Sequence, residues 1–356
     1  ELFPRQAQLA DKFSIVRSLH HDTGDHFAGG HRMLTTRNMG VSGGSTPGKF
    51  PSIGSVITSQ LGPRERGMPP YISVPVASSI GLRPGYFGGN WLGGQHDPFE
   101  TGGDPNNDNF KVQNLTLTNG MTIDRLQDRR LLHEQLDQLA KRADQRDAFP
   151  NHDSFDDDAF EFVSGKRARA AFDIQSENPK IRETYGRHSW GQSTLLARRL
   201  VEAGARFVTV HFGGWDHHWN LQAGMENNLP IVDNAVAGLF ADLEQRGMLE
   251  STVVILCGEF SRTPRMNDGS GKGTPGRDHW GSSMFCLLGG GGIRGGTIVG
   301  STDSKGTTPD QRPVRPDHIH ATIYKAMGLD PKLHLLDHGG RPTPMIETPE
   351  PIHELL

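Results

Sequence analysis

Hydrophobic and polar residues alternate with two different periods along this chain, and the order of these periods predicts an α/β fold. Apolar residues at three- and four-residue steps indicate amphipathic helices, and short apolar runs rich in β-branched residues indicate strands. From residue 206 onward the two patterns follow one another in turn, which is typical of helices packed on a parallel sheet. The elements predicted there are strands at 206–212, 252–257 and 283–288 and helices at 229–246 and 318–327.

Ahead of that region the pattern is less regular. A helix is predicted at 3–12 and a strand at 13–19, and this strand runs into a polar loop that is rich in histidine. Residues 38–120 are rich in Gly, Pro, Asn and Ser, with one predicted short helix at 52–61 and one isolated strand, YISVPV. Further helices are predicted at 122–147, 156–174 and 191–203. We therefore predict one domain over 1–356, with long loop excursions and an insertion of loops and helices at about 38–185.

Composition and charge reduce the number of function classes that fit this chain. The 37 Lys and Arg residues are balanced by 41 Asp and Glu residues, so the chain lacks the basic excess that nucleic-acid binding requires. No apolar stretch approaches the ~20 residues of a membrane-spanning helix. Cys257 and Cys286 lie in apolar runs that favour small buried thiols. The 17 His residues stand out against 4 Tyr, because imidazole is the commonest metal-binding side chain.

Many of these histidines lie where strands are expected to end. In open α/β sheets the ligand site lies outside the carboxyl ends of the strands, where loops converge on a rigid sheet. Four such loops contain the segments HHDTGDHFAGGH, GGWDHHWN, GEFSRTPR and GRDHWG. Their carboxylates and imidazoles, without thiolates, suit Zn²⁺, Mn²⁺ or Fe. The candidates are His20, His21, Asp22, Asp25, His26, His31, Asp216, His217, His218, Glu259, Asp278 and His279.

Each of these residues also has an ordinary structural explanation. Asp216 alone can cap the following turn, and His218 alone can be a surface residue. Glu259 follows a buried strand, where an unpaired carboxylate is costly to desolvate, and it can instead form a salt bridge with Arg262 or Arg265.

Two further explanations concern the remaining loops. In the Asp278–His279 pair, the carboxylate can orient an imidazole rather than bind a metal. The histidines between 20 and 31 can belong to a solvated loop. The placement of all four loops at strand ends favours a metal site, whereas an α/β structural domain with scattered histidines would require these loops to lie far apart.

Four longer segments carry a resemblance to a known family. They are GQSTLLARRLVEAGARFVTVHFGGWDHHWN, CGEFSRTPRMN, GRDHWG and DHIHATIYKAMGLD. Together they strongly resemble the DUF1501 family, which is related to sulfatases and belongs to the alkaline phosphatase-like superfamily. The resemblance covers essentially the whole chain. It implies a three-layer αβα fold with a central, mostly parallel sheet.

The resemblance also implies a centre of one or two divalent metal ions, Zn or Mn. Its ligands would be Asp216 and His218 as a pair, Glu259 at the strand-end acidic position, and His279 with Asp278. Glu259 is followed by Phe260, where phosphatases have Asp followed by His. On this comparison the first strand of the superfamily, which carries a metal-binding Asp, lies before Glu1.

The position of the sulfatase or phosphatase nucleophile falls near Asp25 and His26, where Thr23 is the only hydroxyl close by. The implied activity is metal-dependent hydrolysis of phosphate or sulfate esters. His26 would be an additional ligand, a covalent acceptor or a general acid, and Arg262 or Arg277 would pair with the equatorial oxygens. The implied substrate is a small anionic ester or a sulfated or phosphorylated glycan.

An alternative is a non-catalytic or glycan-binding member that keeps the fold with an incomplete metal centre. Turnover that a chelator abolishes would distinguish the enzyme from the binder. Members of the family generally carry an export signal, so the resemblance implies a periplasmic or extracellular location.

Overall fold

A computed structural model describes residues 1–38, 50–112, 115, 125, 128 and 160–356. The predicted helix at 122–147 falls almost entirely outside the described residues, as does the first part of the helix at 156–174. In the described parts, no helix is both long and apolar enough to span a membrane.

The helices that position the core and the loops are short, with two exceptions of 15 and 25 residues. They are α1 (Pro4–Ala7), α2 (His26–Thr35), α3 (Ile53–Leu61), α4 (Lys166–Phe172), α5 (Pro179–Tyr185), α6 (Ser189–Ala203), α7 (Leu221–Gln245) and α8 (Pro316–Ala326). Gly204 ends α6 in the left-handed conformation, with φ of 116°, directly after the helix predicted at 191–203.

The strands are β1 (Phe13–Leu19), β2 (Tyr71–Val74), β3 (Phe99–Glu100), β4 (Phe207–Val210), β5 (Val254–Cys257), β6 (Ser261–Arg262), β7 (His279–Trp280), β8 (Met284–Gly289), β9 (Ile298–Val299), β10 (Ser301–Thr302), β11 (Pro309–Gln311), β12 (His334–Leu336) and β13 (Pro342–Pro344). The two largest sheets have the strand orders β5-β8-β1-β9 and β3-β2-β4. Short antiparallel pairs join β6 to β7, β10 to β11 and β12 to β13.

The strands form a mixed α/β arrangement rather than one mostly parallel sheet. The three-stranded sheet is parallel throughout. In the four-stranded sheet, however, β8 runs antiparallel to both β1 and β5, and only the pair of β1 and β9 is parallel. The reason lies in the connection from β5 to β8, which contains the short strands β6 and β7 and one 3₁₀ turn but no α-helix, whereas a parallel return requires a crossover, usually a helix.

Helices cover both faces of the four-stranded sheet. Along β8, successive side chains point to opposite faces. Leu287 packs with Phe13 and with Phe240 of α7 on one face. On the other face, Leu288 lies in the same cluster as Ile319 of α8. Burial of these apolar residues, at about 25 cal/mol per Å², holds the sheet rigid beneath its loops.

Helix α7 begins eight residues earlier than the sequence pattern predicts, at Leu221 instead of 229. None of its first ten residues is buried, so this part of the helix lies outside the apolar core. Pro230 is favoured in a first helical turn but lies inside this helix. The early start places the first turn of α7 directly after the segment GGWDHHWN.

The sheet geometry brings three of the four candidate loops to one edge. Because β1 and β5 are both antiparallel to β8, they are parallel to each other, and their carboxyl ends meet where β8 begins. The loop after β4 reaches the same place from the second sheet. It is held there by a bridge between Trp219 and Pro275.

Candidate metal centre

His26 is delivered to the site by the first turn of α2. Asp25 caps this helix, with one carboxylate oxygen 3.0 Å from the backbone nitrogen of Phe27 and 2.9 Å from that of Ala28. Capping by Asp satisfies backbone N–H groups that have no partner within the helix. Asp25 therefore has a structural role, and it fixes the start of the helix and the orientation of His26.

Asp216 lies at the centre of the site, on the loop after β4. Its Oδ1 is 2.9 Å from Nε2 of His279 and 3.0 Å from Nε2 of His218, and its Oδ2 is 3.5 Å from Nε2 of His26. Nη2 of Arg262 donates to Oδ1 at 2.7 Å. Burial alone raises the pKa of Asp216, but the contacts with His279 and Arg262 outweigh burial and hold this pKa well below its ordinary value.

Glu259 follows β5 and lies behind His26. Its Oε1 is 2.7 Å from Nδ1 of His26, and this hydrogen bond is the main reason that the pKa of His26 is raised. The neighbouring ring of Phe260 lies 4.3 Å from the ring of His279 and 4.9 Å from that of His26, measured between centroids. Glu259 and Phe260 thus fix the rings of His26 and His279 on the side away from Asp216.

Asp278 and His279 come from the strand pair of β6 and β7, in which Arg262 is opposite His279. Oδ1 of Asp278 is 2.8 Å from Nδ1 of His218, and this contact lowers the pKa of Asp278. Nδ1 of His279 is 2.6 Å from the carbonyl oxygen of Gly24. Each imidazole of the site therefore has an oxygen acceptor at Nδ1.

These contacts fix which ring nitrogen of each imidazole carries the proton. A carboxylate and a carbonyl oxygen only accept hydrogen bonds, so Nδ1 must be the donor in all three rings. In the neutral imidazole, Nε2 is then left with a lone pair. These lone pairs face the carboxylate of Asp216, and the Nε2 atoms of His218 and His279 are only 3.1 Å apart. Without a proton or a cation between them, these acceptors repel one another.

The donor set fits a divalent metal. Ligand atoms of His26, Asp216 and His279 all lie within 4.8 Å of one another. Nε2 of His26 is buried and has no hydrogen-bond partner among the described residues. In a tetrahedral site with bonds of about 2.0–2.1 Å, ligand atoms lie about 3.3 Å apart. The contacts of 2.9–3.5 Å around Asp216 are close to that spacing.

Eight residues were given metal-binding or catalytic roles from the sequence, and the structure brings seven of them together. The seven are His26, Asp216, His218, Glu259, Arg262, Asp278 and His279. Thr23 is the exception, because its hydroxyl accepts from the backbone N–H of Asp25 at 3.1 Å and has no described hydrogen bond to the other seven. The guanidinium of Arg262 donates hydrogen bonds within the protein, to Asp216 and to the carbonyl oxygens of Trp215 and Arg277. Glu259 contacts His26 and not the two arginines considered from the sequence.

Sequence reasoning missed two supporting groups. One is the carbonyl oxygen of Gly24, which no side-chain pattern reveals. The other is Asn267, the last residue of the segment GEFSRTPRMN, whose Nδ2 is 3.0 Å from the carbonyl oxygen of His218 and 3.1 Å from Oδ1 of Asp278. Asn267 precedes a glycine-rich loop, and an Asn at such a place is a common turn residue, which is the sequence signal that could have indicated a structural role.

Comparison with known proteins gives a family and a structural likeness. No curated protein matches the chain. It is similar to the crystal structure of PsFucS1 sulfatase from Pseudoalteromonas sp., at 12% identity and a TM-score of 0.41, over 92% of this chain and 62% of that one. The chain thus spans about 62% of the length of that sulfatase. The model of one family, described as a protein of unknown function, matches residues 1–356, and the chain belongs to that family, DUF1501.

Proposed function

We propose that this protein binds a divalent cation, Zn²⁺ or Mn²⁺, through His26, His218, His279 and Asp216, and that it hydrolyses phosphate or sulfate esters. The convergence of three Nε2 lone pairs on one carboxylate supports this proposal most directly. Imidazole and carboxylate are ligands that Zn²⁺ and Mn²⁺ accept. A cation among these acceptors removes their mutual repulsion.

In this proposal Glu259 and Asp278 are not ligands, which differs from the set expected from the resemblance. Each accepts from Nδ1 of a ligating imidazole, fixes its orientation and makes its Nε2 a stronger donor to the metal. His26, in contrast, becomes a ligand. Its Nε2 faces Asp216 and not open solvent, so we do not assign it as a general acid.

A bound metal of this kind supplies a more acidic water and polarises an ester oxygen. In this proposal the surrounding residues orient the metal ligands and bind the substrate. Arg262 donates to the carboxylate of Asp216 and holds it in place, so the positive charge of Arg262 is used to position a ligand and not to bind the ester. Arg277 lies beside Asp278, and its Nε is buried without a hydrogen-bond partner in the described part of the chain. We assign Arg277 to the anionic group of the ester, because a guanidinium matches the geometry of phosphate and sulfate oxygens.

Metal analysis of the purified protein tests the first half of the proposal. The wild type should retain close to one equivalent of Zn²⁺ or Mn²⁺ after gel filtration, and Asp216→Ala and His279→Ala should lose it. His353→Gln is a matched control, since this exposed histidine pairs with Glu350 away from the site. Unchanged metal content in both site variants would end the idea.

Turnover of aryl phosphates, phosphodiesters and sulfates with added Zn²⁺ and Mn²⁺ tests the second half. The expected result is turnover that a chelator abolishes and that added metal restores. Metal binding without turnover of any of these esters, together with retention on a sulfated glycan, would instead support the binding role.

A further inference from the structure

His21 joins three of the loops that build the candidate metal centre, although it does not face the centre itself. It follows the end of β1 and is only 5% exposed. Its backbone N–H donates to the carbonyl oxygen of Gly281 at 2.9 Å. Packing against Gly281 is tight, because a Cβ at that position would lie 2.7 Å from Nδ1 of His21. The ring is therefore fixed in one place.

Both ring nitrogens of His21 hold backbone groups. Nε2 is 2.6 Å from the carbonyl oxygen of Glu259, which can only accept, so Nε2 carries the proton. Nδ1 accepts from the backbone N–H of Thr23 at 3.3 Å. This is the opposite tautomer to the one that the contacts impose on His26, His218 and His279. Burial lowers the pKa of His21, which keeps the ring neutral.

The two groups that His21 holds belong to the segments that fix the ligands. Glu259, held at its carbonyl oxygen, accepts from Nδ1 of His26 with its carboxylate. Thr23, held at its N–H, precedes Gly24, whose carbonyl oxygen accepts from Nδ1 of His279. A displacement of His21 would therefore move the acceptors behind two of the imidazoles.

We propose that His21 is a positioning residue that sets the orientation of His26 and His279 through Glu259 and Gly24. The effect on metal affinity rests on the proposed metal site. The effect on ring tautomers does not, because it concerns the metal-free protein as well.

Substitutions at position 21 separate the two ring nitrogens. The amide of Gln reaches the place of Nε2 and still donates to Glu259, whereas the amide of Asn reaches only the place of Nδ1. Leu has neither group. His20→Gln is the matched control, because no hydrogen bond of the His20 side chain is found among the described residues, while its backbone N–H donates to Val314.

Binding of Co²⁺, followed by its visible spectrum, is the first measurement. His21→Leu should bind Co²⁺ about 10–100-fold more weakly than the wild type, the loss expected when a partner of a ligating histidine is misplaced. Its absorption bands should change as well. His21→Gln should remain within a few fold of the wild type, and His20→Gln should match it. Wild-type affinity and spectrum in His21→Leu, or an equal loss in His21→Gln, would overturn the proposal.

The second measurement uses metal-free protein labelled with ¹⁵N-histidine. Long-range ¹⁵N–¹H spectra should show His21 protonated at Nε2, and His26 and His279 protonated at Nδ1. In folded His21→Leu the two site histidines should lose this single tautomer. If the wild type binds no Co²⁺, the proposed function fails, and these spectra still decide the role of His21. Unchanged tautomers in the variant would refute it.

Discussion

Replacement of Glu259 tests the central assumption that a carboxylate behind His26 makes its Nε2 a better metal ligand. Glu259→Gln keeps an oxygen that accepts from Nδ1 at the observed 2.7 Å but removes the negative charge. Glu259→Ala removes the acceptor altogether. The two variants therefore separate the orientation of the ring from its basicity.

The structure sets the expected size of the effect. Loss of a group that holds a ligating histidine typically weakens metal binding about 10–100-fold, or about 1.4–2.7 kcal/mol. The Glu259 side chain is 34% exposed and that of Asp278 is 56% exposed. Water can replace the more exposed carboxylate more easily, so we place Glu259→Ala near the upper end of the range. Glu259→Gln should lose roughly tenfold, because one acceptor remains.

The pH dependence of metal affinity is a second, independent test of the role of Glu259. The hydrogen bond from Glu259 raises the pKa of His26 above its ordinary 6.5, so the proton stays on the ring to a higher pH. Because a ligating imidazole must be unprotonated at the metal-binding nitrogen, wild-type affinity should fall as pH drops through this raised pKa. In Glu259→Gln the fall should begin at a lower pH, although the affinity at about pH 8 is weaker.

The assay is a competition titration of Zn²⁺ against a chromophoric chelator at several pH values. The far-ultraviolet circular dichroism of each variant shows whether it is folded. Wild-type affinity in Glu259→Ala, or the same pH dependence in Glu259→Gln and wild type, would show that Glu259 does not act through His26.

Three further predictions use the same titration or equilibrium unfolding. Asp278→Ala should weaken Zn²⁺ binding about tenfold, less than Glu259→Ala, and an equal or larger loss would contradict the exposure argument. Arg262→Lys should also lose Zn²⁺ affinity, because one ammonium group cannot replace hydrogen bonds to Asp216 and to two backbone carbonyls; full retention would contradict this. Burial raises the pKa of Glu177, but hydrogen bonds from Arg198 and Arg199 outweigh it and lower the pKa to about 2. The wild type should therefore lose stability as pH falls from about 4.5 toward 2, and Glu177→Gln should show a smaller loss over that interval in urea unfolding.

The sequence predicted the elements of the core better than their arrangement. Strand β1 has the predicted bounds, and α6 ends at Ala203, where the predicted helix 191–203 ends, because apolar period and helix capping are local signals. The direction of β8 was not predictable in this way. It depends on how the chain returns from β5, and the glycine-rich segment between them has no helical period, which favours an antiparallel return that the alternation of strands and helices did not indicate.

The candidate site was predicted to the level of its residues but not of their contacts. The positions of the strand ends predicted that four residues would lie close together, since parallel strands bring their carboxyl ends to one edge. These residues are Asp216, His218, Glu259 and His279. Whether a carboxylate faces the centre or lies behind an imidazole differs by a few ångströms of loop geometry. That geometry depends on the carbonyl oxygen of Gly24 and on other backbone groups, which have no pattern in the sequence.

The direction of the imidazoles has an energetic consequence for the folded protein. Three Nδ1 atoms are tied to oxygens, so when the three rings are neutral the fold holds three lone pairs and a carboxylate together in the metal-free state. In that neutral form their repulsion disfavours the native state, unless a proton or a cation lies between them. A cation converts the same contacts into attractions in the native state alone, since the unfolded chain does not assemble them. At the proposed site, metal binding should therefore stabilise the folded protein by an amount that grows with the logarithm of the free metal concentration, which unfolding in urea at several Zn²⁺ concentrations would measure.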